Sequence, residues 1–231
     1  MRTGRRRGLR AAAATLLIGA VAALGVGCED GRSYDQALCV LIDVSGTYAD
    51  QKAEVVRILK REVLPALEPG DTLMVIRIDG DSYEKNNLEA LVRLDARPSR
   101  ANAQKLALAK KLDDFARHGH KAEYTDIQGA MVLGTDYLRE LESGSRVMLV
   151  FSDMRQDLPA GTRRELHEEE FAHIDVVAMH VKRLDSDNAN PAVFRSRLAS
   201  WEQRLLDAGA SGWRTLMDST KLPEHLSSLR T

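Results

Sequence analysis

Apolar residues along this chain come in two rhythms. Short, closely packed runs, at Ala37 to Ile42, Thr72 to Asp79, Arg146 to Phe151 and Ile174 to Val181, have the length of strands buried on both faces. Between them, apolar residues recur at three- and four-residue spacing, as helices with one buried stripe require. Val55, Val56, Leu59 and Val63 form the first stripe, stopped by Pro65 and then Pro69–Gly70. Pro98 opens a helix through Arg117 with Leu108, Leu112 and Phe115 on its inner face. Thr125 and Asp126 open another, whose face is Ile127, Ala130, Met131, Leu138 and Leu141. The capping-box pattern from Thr162 to Glu165 predicts a short helix, and the run Glu168, Glu169, Glu170 reads as a solvated helix end. Asn190–Pro191 starts a helix carrying Phe194, Leu198, Trp201 and Leu205, ending at Gly209. Trp213 to Met217 reads as a last strand, Pro223 to Leu229 as a terminal helix, and Leu88 to Leu94 as an antiparallel edge strand. This alternation predicts an α/β fold: doubly wound, with a mostly parallel central sheet and helices on both faces.

The length of 231 residues suits one such domain with an appendage. The appendage is at the N-terminus. Arg2, Arg5, Arg6, Arg7 and Arg10 precede an Ala/Leu/Gly-rich stretch from Ala11 to Gly27, the layout of a secretory signal. That stretch is short for a spanning helix, which needs about 20 apolar residues. It ends in Leu24–Gly25–Val26–Gly27–Cys28, which resembles the lipobox of bacterial lipoproteins, although Gly25 stands where leucine is usual. The resemblance implies lipidation at Cys28; plain signal cleavage nearby is the alternative. Residues 1–27 are therefore read as a signal peptide, 28–35 as a polar tether and 36–231 as the domain. The chain is expected to be exported to the cell envelope or periplasm and held at the membrane through Cys28.

With the five leader arginines set aside, 34 acidic residues face 28 basic ones. A body with no basic surplus argues against a nucleic-acid partner, since there is nothing to neutralise phosphates. Cys39 is the only cysteine besides Cys28, and two cysteines make no disulfide framework. It reads as a small core residue inside the first strand.

Candidate chemistry gathers at strand ends. The first strand runs into Asp43, Ser45 and Thr47, with Gly46 between the hydroxyls allowing a sharp turn. Thr125 sits on the loop opening a helix, and Asp153 follows Ser152 at the end of the strand after the long helices. If the winding reverses between those two strands, their ends flank one crevice. Two carboxylates and three hydroxyls there offer oxygen to a hard cation. Ordinary turn and cap chemistry also explains a lone serine or threonine near an aspartate.

Taken together, Asp43–x–Ser45–x–Thr47, Thr125 and Asp153 resemble the metal-ion-dependent adhesion site of von Willebrand factor type A domains, which have a Rossmann-like fold. The resemblance spans roughly residues 36–218. Thr47 stands where serine is commoner, and Met154 follows Asp153 where glycine is frequent. The resemblance implies Mg²⁺, or Mn²⁺ in its place, with Ser45 and Thr47 as direct ligands and Thr125 binding directly or through water. Asp43 and Asp153 would anchor coordinated waters or bind the ion themselves. An open coordination position would take an Asp or Glu carboxylate from a partner protein, so no enzyme activity is expected.

Two other readings stand beside it. One is a metal-dependent hydrolase using the same site, with a base drawn from Asp50, Asp81, Glu84, Asp126 or Asp157. The Asp–x–Asp pattern of haloacid-dehalogenase-like phosphatases is absent from the first loop. The other is a structural lipoprotein with a vestigial site. His118 and His120 make a poor transition-metal site without a third ligand, and Trp201 and Trp213 read as core anchors.

Overall fold

The computed structural model describes residues 34–46, 48–119 and 122–230. Six strands form one sheet in the order β3-β2-β1-β4-β5-β6. They are β1 (Gln36–Asp43), β2 (Thr72–Ile78), β3 (Leu88–Arg93), β4 (Ser145–Phe151), β5 (Asp175–Met179) and β6 (Gly212–Leu216). All neighbours pair parallel except β2 and β3. The order reverses between β1 and β4, which opens the crevice expected of doubly wound sheets at their C-terminal edge.

Every residue of β1 is buried, because strands flank it and helices cover both its faces. Its side chains alternate between two cores. Leu38, Val40 and Ile42 pack with residues of α1 (Lys52–Ile58), α2 (Leu64–Ala66), α3 (Pro98–Arg117) and α7 (Leu222–Ser228). A π-turn over Leu59–Val63 joins α1 to α2. Ala37, Cys39 and Leu41 point the other way, towards α4 (Ile127–Arg139) and α6 (Pro191–Asp207). Gly134 lets α4 approach closely, since a Cβ there would stand 2.7 Å from Cys39 Sγ. Cys39 is fully buried, and burial pushes its thiol pKa up, as befits an inert packing residue.

The expected succession of strands and helices is observed, with two corrections in one segment. Residues 162–170 contain no helix. Thr162 N–H instead closes a turn on the Pro159 carbonyl. Arg164 is drawn away by Asp126 and Asp81, and Leu166 packs against the core. The acidic run ends no helix either: it is a turn in which His167 N–H donates to the Glu170 carboxylate. The whole β4–β5 crossover, residues 152–174, thus has neither helix nor named strand, and side-chain contacts hold it in place of a helical ladder. A short helix at α5 (Asp185–Ala189) was not legible in the apolar pattern. No helix among the described residues is long and apolar enough to cross a membrane.

Candidate metal centre

The sheet register assembles the site. Ile42 pairs with Phe151, so the next residues, Asp43 and Ser152, stand side by side at the C-terminal edge. Asp43 is fully buried. Ser45 donates to its Oδ1 twice, from the backbone N–H at 2.9 Å and from Oγ at 2.5 Å. Ser152 Oγ donates to Oδ2 at 2.6 Å. One carboxylate therefore fixes hydroxyls from two strand ends. Each hydroxyl spends its proton on the carboxylate and keeps lone pairs for another acceptor-seeking group.

Asp153 is buried beside this pair, and its Oδ1 accepts from Arg155 N–H at 2.8 Å. Burial is the main cause that raises the Asp43 pKa to about 6; the Ser152 and Ser45 hydrogen bonds oppose it, and the Asp153 charge adds to it. Two acids thus share a dry rim.

Thr125 is buried on the neighbouring loop. Its backbone exchanges two hydrogen bonds with Asp157, at 2.7 and 2.9 Å, so it is bound to the segment that follows Asp153. Ala122, three residues earlier, bridges to Ser45. Asp126 caps α4, taking Gly129 N–H at 2.9 Å and Arg164 Nε at 2.8 Å. A reciprocal pairing of Gln128 and Gln156 ties the start of α4 to the same segment. Backbone pairings and amide bonds thus join the loops carrying Ser45, Thr125 and Asp153. Thr47 and Cys28 lie outside the described residues, as does His120.

The described residues fit a hard cation. Their donors are carboxylates and hydroxyls, the oxygen ligands such a cation takes, although among the described residues no group of three or more His, Cys, Asp or Glu that could hold a metal ion forms. His118 lies at the end of α3, where its ring Nδ1 contacts the Asp114 carbonyl at 2.7 Å. A cleft of about 550 Å³ opens beside the first loop, lined by Val44, Arg77, Asp79, Asp81, Glu84 and Ala122 among others.

Three features were not foreseen. Ser152 bonds to Asp43; the available signal was its place immediately before the strand-ending aspartate. Gly46 is exposed with its φ outside the left-handed region, and a Cβ there would meet nothing within 4 Å, so the first loop turns without using glycine's freedom. Met154 is left-handed instead, with φ 62°, as are Glu169, His173 and His180 elsewhere in the chain, and its carbonyl accepts from Trp201 Nε1 at 2.8 Å.

No protein-family model and no curated protein matches this chain. Solved structures do resemble it. The pilus adhesin SpaC from Lactobacillus rhamnosus GG, in an open conformation, superposes with a TM-score of 0.53 at 14% identity, over 84% of this chain and 29% of that one. A point mutant of the PilB minor pilin from Streptococcus sanguinis gives 0.50 at 9% identity, over 87% and 61% respectively. A von Willebrand factor type A protein from Catenulispora acidiphila gives 0.44 at 12% identity, over 85% and 42%. The chain spans well under two thirds of the adhesin's length. At such identities the likeness to the adhesin and the pilin is one of fold alone: a six-stranded, mostly parallel α/β sheet covered by helices.

Proposed function

We propose that this chain is a metal-dependent protein-binding module of the cell envelope, anchored through Cys28, rather than an enzyme. The observation that carries the reading is the buried Asp43 carboxylate holding the Ser45 and Ser152 hydroxyls, with a second carboxylate, Asp153, beside it. Ser45, Thr47 and Thr125 would supply hydroxyl oxygens to Mg²⁺ or Mn²⁺, with Asp43 and Asp153 behind them. A bound ion of this kind supplies an electrophilic position for an Asp or Glu carboxylate from a partner protein.

Three of the five acids weighed as a base, Asp50, Asp81 and Asp126, are engaged elsewhere, which favours capture over catalysis. Asp50 is held below its ordinary range chiefly by the hydrogen bond from Lys182, which weakens it as a base. Asp126 and Asp81 both bind Arg164. The likeness in fold to a pilus adhesin and a minor pilin also supports an adhesive role at a bacterial surface.

Thermal unfolding tests the metal. Mg²⁺ at about a hundred times its dissociation constant is expected to stabilise the native state by about 2.7 kcal/mol. The gain should vanish with a chelator and in Asp43→Ala. A wild-type midpoint indifferent to both Mg²⁺ and Mn²⁺ sinks the reading. Envelope proteins retained on the wild type in Mg²⁺, and released by the chelator, would identify the partner.

A further inference from the structure

Met154 is a strained residue in a place where strain has a use. A non-glycine residue at φ 62° carries a steric cost that its surroundings must offset. Here both of its backbone polar groups are committed. Its N–H donates to Ser152 Oγ at 3.0 Å, and its carbonyl takes the Trp201 indole N–H at 2.8 Å in a buried setting. Its side chain is 1% exposed and belongs to the same apolar cluster as Trp201 and Phe171.

The next peptide matters as much. Arg155 N–H donates to Asp153 Oδ1. Rotation of Met154 out of the left-handed region would swing its carbonyl off Trp201 and carry Arg155 N–H away from Asp153. The Trp201 bond opposes that rotation from α6, where Leu205 is also buried and Arg204 stacks on the indole, 4.5 Å from the ring centre.

We propose that Trp201 is a positioning residue: through the Met154 carbonyl, α6 sets the aim of Asp153, so that seating of α6 and occupancy of the metal centre are coupled. The loop geometry stands by itself; the coupling rests on the metal reading above. By linkage, whatever displaces α6 weakens the ion, and the ion steadies α6.

Amide hydrogen exchange on the metal-free full chain tests the positioning. In Trp201→Phe, which keeps an aromatic ring but removes the donor, Arg155 N–H is expected to exchange about tenfold faster, measured relative to the Val40 amide of β1. Adding Met154→Gly should restore most of that protection, because glycine enters the left-handed region without the steric cost that a side chain brings. Equal acceleration at Arg155 and Val40, or no rescue by glycine, overturns the positioning role. A Mg²⁺ titration then tests the coupling. Affinity should fall about tenfold in Trp201→Phe and recover in the double variant. Unchanged affinity in Trp201→Phe overturns the coupling. A wild type that binds neither Mg²⁺ nor Mn²⁺ refutes the metal reading and the coupling with it, and leaves the exchange result to decide the positioning role.

Discussion

Asp43 and Ser152 are bonded neighbours separated by 109 positions in sequence, and nothing local compels them to meet. Their bond depends on β1 and β4 pairing in one register. Ser152→Ala would strip Asp43 Oδ2 of its hydroxyl donor and Met154 N–H of its acceptor. Denaturant unfolding is expected to show a loss of about 1–3 kcal/mol, as for other buried groups left unpaired; no loss would mean that water replaces the hydroxyl. At this scale the placing of Asp43, Ser45 and Asp153 at the ends of β1 and β4 was readable, because an apolar run that breaks into aspartate and hydroxyl marks where a buried strand stops. Ser152 and Trp201 were not. Their roles are hydrogen bonds fixed by tertiary approach, and sequence displays them only as a polar neighbour and an apolar stripe.

Among elements, the β4–β5 crossover departs most from local propensity. The Thr162–Glu165 pattern is a sound helix start, yet tertiary bonds from Arg164 to Asp126 and Asp81 offer more than one isolated turn can. Strands and long helices were legible because their periods extend over many residues; short helices and side-chain-held loops have no period to read. At the α5–α6 junction, Asp187 is fully buried against Arg197, with a 2.6 Å contact. The Arg197 hydrogen bond is the leading cause that holds its pKa below the ordinary carboxylate range. A depressed acid stabilises the fold above the unfolded pKa, near 4, and that contribution disappears as pH falls through the folded value. Stability measured below about pH 4 should therefore fall less steeply in Asp187→Asn than in the wild type. Parallel acid profiles would show that the pair contributes nothing to acid sensitivity.

Across the described residues, the candidate site and the start of the chain lie at opposite edges of the sheet. Asp43, Ser45, Ser152 and Asp153 lie at the C-terminal ends of β1 and β4, whereas the described chain begins just before β1, at the other edge. Near that start Asp71 accepts from Gln36 N–H at 2.8 Å and binds Arg230, whose guanidinium also reaches the Tyr34 carbonyl. From Gln36 to the candidate site the path is thus a single strand, β1, flanked by β2 and β4 over seven paired positions on each side. On the proposed reading, a tug on a captured partner would run along that extended, covalently continuous strand and bypass the hydrogen bonds that flank it. Pulling one molecule from positions 34 and 46 should therefore need a larger rupture force than pulling between β3 and β6, where pairings open in turn. Equal forces would show that β1 is no mechanical spine.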